Sequence, residues 1–228
     1  MTSISFEQMN AGTFLVKDPV SALTHFIGMI LAVLAMPVLL VHHAQHGAAM
    51  NALIADAVFM ISMILLYGAS SAYHTFDAEQ KVRMNLKKLD HMSIFILIAG
   101  SYTPICVSVL EQPAGMILLA AVWSVAAAGM IFKFCWVTCP RWVSSVLYTA
   151  MGWACVSVIP KLIAGMPLSQ FLWLLAGGIF YSVGSVIYAK KKRITPTAWS
   201  GFGNHELFHI FVMLGSFCHF VTMMLIRF

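Results

Sequence analysis

Three of the nine histidines in this chain stand where they could share one ion. His205 and His209 are separated by Glu206, Leu207 and Phe208. On a helix their imidazoles fall at i and i+4, one turn apart on a single face. That spacing suits chelation of Zn²⁺, with zinc–nitrogen bonds of about 2.0–2.1 Å. His74, near the end of another apolar stretch, can supply a third nitrogen. Three protein ligands with a fourth position open describe a catalytic zinc, whereas a structural zinc is closed by four. The competing reading is a set of interfacial histidines hydrogen-bonded to nearby carbonyls.

Asp90 opens a further apolar stretch and is the candidate carboxylate beside the metal, where it can accept a proton or orient a ligand. A first-turn acid favoured by the helix dipole is the alternative. Ser70 lies one turn before His74 on the same face and can help position a nucleophile; simple packing is its alternative role. His205-Glu206-x-x-His209 also matches the pattern in which the glutamate of a zinc protease is general base. Glu206, however, sits about 100° round the helix from His205, and His219 lies about 15 Å beyond His209, too far to share its ion. Protease is therefore the minority reading. Of the remaining histidines, His25 is expected to line the same cavity without binding metal, and His91 to point elsewhere on its helix. His42, His43 and His46 read as a solvated patch a bilayer away.

The elements that must carry these residues are membrane spans. Hydrophobic residues make up 61% of the 228 positions and charged residues only 9%, with a mean hydropathy of +0.88. A soluble domain needs about 25% charged residues to cover its surface, so the surplus apolar side chains must face lipid. Spanning helices need about 20 predominantly apolar residues. Seven stretches qualify, at about 21–43, 50–73, 89–109, 114–133, 142–160, 168–189 and 204–225. The expected fold is thus all-α, a seven-transmembrane-helix bundle. It divides into a short cytoplasmic segment over 1–20 and a single membrane domain over 21–228, with no cleavable signal peptide.

Thirteen Lys and Arg residues give a net charge of +5. Eleven of them, at Lys17, Lys81, Arg83, Lys87, Lys88, Lys133, Arg141 and 190–193, fall on one side of a seven-span topology; Lys161 and Arg227 fall on the other. The positive-inside rule then places the N-terminus in the cytoplasm and the C-terminus outside. The same topology explains the positive charge without a nucleic-acid partner. It also brings His74, Asp90, His205 and His209 to similar depth on the cytoplasmic side, although they come from three helices. Ionisable groups within a span cost about 2.5–3.5 kcal/mol or more unless partnered, so their convergence asks for a functional reason. The five cysteines, including the Cys135…Cys139 pair, read as small buried hydrophobes.

The segments Tyr67-Gly68-Ala69-Ser70-Ser71-Ala72-Tyr73-His74, Leu89-Asp90-His91-Met92-Ser93-Ile94, Gly100-Ser101-Tyr102-Thr103-Pro104 and Asn204-His205-Glu206-Leu207-Phe208-His209 together resemble the hemolysin III family. That family is the bacterial branch of the progestin and adipoQ receptor superfamily, and the likeness covers essentially the whole chain, including Thr24-His25. The resemblance implies a seven-helix bundle in the bacterial cytoplasmic (inner) membrane. It implies a zinc ion on His74, His205 and His209, with Asp90 and Ser70 beside it. It further suggests hydrolysis of a lipid amide or ester, by likeness to adiponectin receptors and alkaline ceramidases, and a part in membrane homeostasis. Members vary between Glu and Gln at the position of Glu206. The alternatives are a non-enzymatic sensor of bilayer state with a structural zinc, and a haemolytic membrane protein. The lipid bilayer is the expected partner, with an amphiphile as the possible substrate.

Overall fold

The computed structural model describes residues 16–190 and 202–228. Among these residues all regular structure is helical: α1 (Pro19–Gln45), α2 (Met50–Thr75), α3 (Gln80–Ser108), α4 (Ala114–Cys135), α5 (Arg141–Gly152), a 3₁₀ segment (Trp153–Val158), α6 (Ile159–Gly165), α7 (Leu168–Ala189) and α8 (Asn204–Met224). Counting Arg141–Gly165 as one interrupted span, seven helices are long and apolar enough to cross a membrane. The basic run 191–193 lies outside the described residues.

Two spans depart from their expected form. The third begins at Gln80 and not at Leu89. Its first turns carry Gln80, Lys81, Arg83, Met84 and Lys87, residues with good intrinsic helix propensity. The helix therefore starts before the apolar stretch does. The fifth span is broken. Tyr102 of α3 reaches into its backbone: the phenol donates to the Gly152 carbonyl at 2.6 Å and accepts from the Cys155 N–H at 2.9 Å. Pro160, which has no N–H to give, follows immediately in α6. Non-helical backbone at membrane depth needs such internal partners, since lipid supplies none.

The packing is tightest among the first three spans and between α7 and α8. Tyr67, Phe59 and Phe95 are the largest fully buried aromatic side chains. A Cβ at Gly100 would overlap the Ser62 side chain, so α2 and α3 approach there at a distance only glycine permits. Gly177 does the same for the His219 ring. The outer surface is apolar, with Leu34, Ile117 and Ile131 more than half exposed.

At the end of the bundle remote from His74, His43 corrects the expectation of a solvated patch. It is fully buried, and its Nδ1 lies 2.6 Å from the Asp56 carboxylate, which is buried as well. His42 and His46 remain on the surface side of the same turn, where His46 Nδ1 contacts the His42 carbonyl at 2.7 Å.

Candidate metal centre

Because the chain alternates direction, the end of α2 and the starts of α1, α3 and α8 meet at one end of the bundle. His74 occupies the last turn of α2, and His205 and His209 the first two turns of α8. One ring nitrogen from each of the three lies within 4.8 Å of the others. His74 Nε2 and His205 Nε2 are 3.0 Å apart. Nitrogens sharing a tetrahedral zinc stand about 3.3 Å apart, given bonds of about 2.0–2.1 Å. The donor set could hold a metal ion.

Hydrogen bonds behind two of the three imidazoles, His74 and His209, assign which nitrogen each presents. Asp18, just ahead of α1, places its carboxylate 2.9 Å from His74 Nδ1, so Nδ1 carries the proton and Nε2 is left with its lone pair. The Thr24 hydroxyl donates to the Ser21 carbonyl at 3.0 Å. Its oxygen is thus the acceptor for His209 Nδ1 at 3.2 Å, again leaving Nε2 free. Carboxylate or hydroxyl behind a ligating imidazole is the usual support of a metal site. Asp18 is itself held: burial alone would raise its pKa, but the hydrogen bond from His74 and the charge and hydrogen bond of Lys17 outweigh that and set it below the ordinary carboxylate value. Lys17 Nζ lies 3.3 Å from the Asp18 carboxylate and 3.8 Å above the Tyr73 ring.

Behind His205 and His209 opens a cavity of about 160 Å³, which His25, Ser70, Asp90 and His91 also line. The rest is mostly apolar, including Tyr102, Trp153, Phe171 and Leu174. Asp90 is buried and Ser70 almost completely so. The Ser70 hydroxyl stands near the Asp90 carboxylate without a hydrogen bond of ordinary geometry. His91 does not point away, as its place in the helix suggested. It lines the same cavity, with Nδ1 3.1 Å from an Asp90 oxygen. His25 lies where expected, stacked on His209 at 3.6 Å and nearly parallel to it. Both of its ring nitrogens are buried without a partner.

Glu206 has other work. One carboxylate oxygen accepts from Ser21 Oγ at 2.7 Å and the other from the Gly203 N–H at 2.7 Å. It caps α8 and ties that helix to α1, which agrees with a structural role and not that of a base. Asp18 is the site residue that sequence reading missed. Its partner His74 is 56 positions away, and only its place immediately before the first apolar stretch marks it.

Known proteins resemble this chain in sequence. The family model described as "Haemolysin-III related" matches residues 14–220. "Hemolysin-3" of Bacillus cereus is 38% identical over 211 residues, 92% of each chain. The "Hemolysin-3 homolog" of Bacillus subtilis (strain 168) is 35% identical over 204 residues, 89% of this chain and 91% of its own. A "Progestin and adipoQ receptor-like protein 1" of Caenorhabditis elegans is 29% identical over 184 residues, 71% of this chain and 41% of its own. With seven apolar spans and a family match along nearly its whole length, the chain is a multi-pass membrane protein, in a bacterium one of the inner membrane, and it belongs to the haemolysin-III-related family.

Proposed function

We propose that this protein is a zinc-dependent intramembrane hydrolase acting on the amide or ester bond of a lipid, and that it contributes to membrane homeostasis. The observation that carries the reading is the trio of imidazoles, with ligand atoms within 4.8 Å of one another, two of which, His205 and His209, line a cavity with Asp90 and Ser70. His74, His205 and His209 would hold the ion, and zinc bound there would supply Lewis acidity toward an acyl carbonyl. Asp90 is the proton acceptor. Its buried carboxylate faces the cavity beside His91, whose Nδ1 lies 3.1 Å from it and can share the accepted proton. Ser70, with its hydroxyl unengaged, orients the attacking water. The apolar walls of the cavity suit acyl chains and exclude bulk solvent, which strengthens charge interactions inside. The asymmetric distribution of Lys and Arg supports a site at the cytoplasmic side, with the N-terminus inside and the C-terminus outside.

Elemental analysis of detergent-purified protein beside His74→Ala tests the metal. One zinc per chain is expected in the first and none in the second. Turnover of long-chain lipid amides and esters tests the chemistry, and metal without any turnover would remove the hydrolase.

A second reading is a sensor of bilayer state with a structural zinc. It is favoured by the position of α1, which packs against both α2 and α8, so that an ion on His74 and the α8 histidines would clamp two helices across a third. Metal-dependent thermal stability with no hydrolysis is its signature. The relatives' name raises a third, lytic role. Channel-like dye release from liposomes at low protein density would support that role, and retention of dye would dismiss it.

A further inference from the structure

Away from the metal centre, Lys133, Cys139 and Ser144 form a buried cluster that the proposed hydrolysis does not use. Lys133 closes the last turn of α4, Cys139 stands in the turn before Pro140, and Ser144 lies in the first turn of α5. Lys133 is 0% exposed. Its ammonium donates to Ser144 Oγ at 2.5 Å and to Cys139 Sγ at 3.1 Å, and the sulfur and hydroxyl are 3.4 Å apart. The Tyr148 ring, 5.9 Å from Nζ, covers a further side. Among the described residues no carboxylate lies within ion-pair distance of Lys133. A buried cation whose charged hydrogen bond goes to a thiol favours any step in which that sulfur gains negative charge or a leaving group needs a proton. Ser144 is not the reacting group: it is 1% exposed and does not line the cavity, so no substrate carbonyl reaches it.

We propose that Cys139 is a modification site, oxidised by small hydroperoxides with Lys133 as the acid. The sulfur attacks the terminal oxygen of the peroxide. An S–O bond forms, the O–O bond breaks, and the leaving oxygen takes a proton from Lys133, which recovers one from the thiol. Cysteine is oxidised by two electrons to the sulfenic acid, and the peroxide is reduced to an alcohol or water. Cys139, in the α4–α5 turn, is only 7% exposed, so a reagent that reaches it must be small. The cluster is one side chain from the main cavity, because the Tyr148 hydroxyl donates to the carbonyl of His91 at 3.0 Å. Oxidation therefore alters a partner of Lys133 beside a wall of the proposed site.

The chain contains its own control. Cys135 is exposed and Cys139 buried, so accessibility alone predicts faster oxidation at Cys135. Full-length protein retaining only one of the two thiols, purified in detergent, is treated with dilute hydrogen peroxide. Sulfenic acid is trapped with dimedone and quantified by mass spectrometry. Cys139 is expected to react at least about tenfold faster than Cys135 in the folded protein and at a similar rate after denaturation, and Lys133→Met to slow it by about tenfold, the worth of a charged hydrogen bond. Faster reaction at Cys135, or equal rates at Cys139 with and without Lys133, overturns the proposal. The comparison of the two thiols stands even if Lys133→Met does not fold.

Discussion

The carboxylate of Asp18, 2.9 Å from His74 Nδ1, determines which nitrogen of that imidazole is left to face His205. The contact joins the segment ahead of α1 to the last turn of α2, so that three helices contribute to the candidate metal centre. Ligand orientation through such a contact is worth about 10–100-fold in metal affinity. Asp18→Ala is therefore expected to bind zinc about 10–100-fold more weakly in a chelator competition, with the fold retained, whereas His74→Ala loses stoichiometric metal. Equal affinity for Asp18→Ala and the wild type would show that the carboxylate does not support the ligand.

Asp90 and Glu206 separate chemistry from architecture. Asp90 faces the cavity, while both oxygens of Glu206 are occupied by Ser21 and Gly203. In a lipid-hydrolysis assay, Asp90→Asn is expected to lower turnover at least about 100-fold, the scale of a lost general base, with zinc content unchanged. Glu206→Gln, which can still accept from Ser21 and Gly203, should retain both zinc and turnover. The reverse pattern would make Glu206 the base and return the protease-like arrangement to the lead.

His43 and Asp56 are the most completely buried ion-pair partners among the described residues. Removing one member of a buried pair leaves the other uncompensated, at a cost of about 3–5 kcal/mol. Thermal unfolding in detergent should show Asp56→Ala destabilised on that scale, and Asp56→Asn, which keeps an acceptor, by less. An unchanged midpoint for Asp56→Ala would mean that the pair is replaced by water.

Tyr102→Phe deletes the donor to Gly152 and the acceptor for Cys155. Leaving those groups unsatisfied costs about 1–3 kcal/mol. Hydrogen–deuterium exchange at 152–156 is expected to rise while exchange in α2 stays as it was. Unaltered exchange over 152–156 would show that the break in the fifth span does not depend on the phenol.

The spans and the pairing of His205 with His209 were legible in the sequence because both are local signals. A run of about 20 apolar residues marks a span wherever it packs, and His205 and His209 share a face through helix geometry alone. The contacts of His91, His43, Asp18 and Tyr102 were not legible. Each depends on how a helix is rotated about its own axis and on which neighbour it meets, and hydropathy is nearly blind to rotation in helices that are apolar on most sides. His91 is the clearest case: it is one residue from Asp90 in sequence, yet its ring and the Asp90 carboxylate line one cavity. The early start of α3 was obscured for another reason, since its first turns are polar and fall outside any hydropathy window.

The α1–α2 hairpin carries an aspartate–histidine contact at each end, with the roles exchanged. Asp18 ahead of α1 meets His74 of α2 at one end, and His43 of α1 meets Asp56 of α2 at the other. Sliding one helix along the other by a turn, about 5.4 Å, would rupture both contacts at once. The hairpin therefore behaves as a bolted frame whose length is set at two points. Any shape change that admits or releases a lipid must come from elements without such bolts, and the interrupted fifth span is the part of the wall already cut.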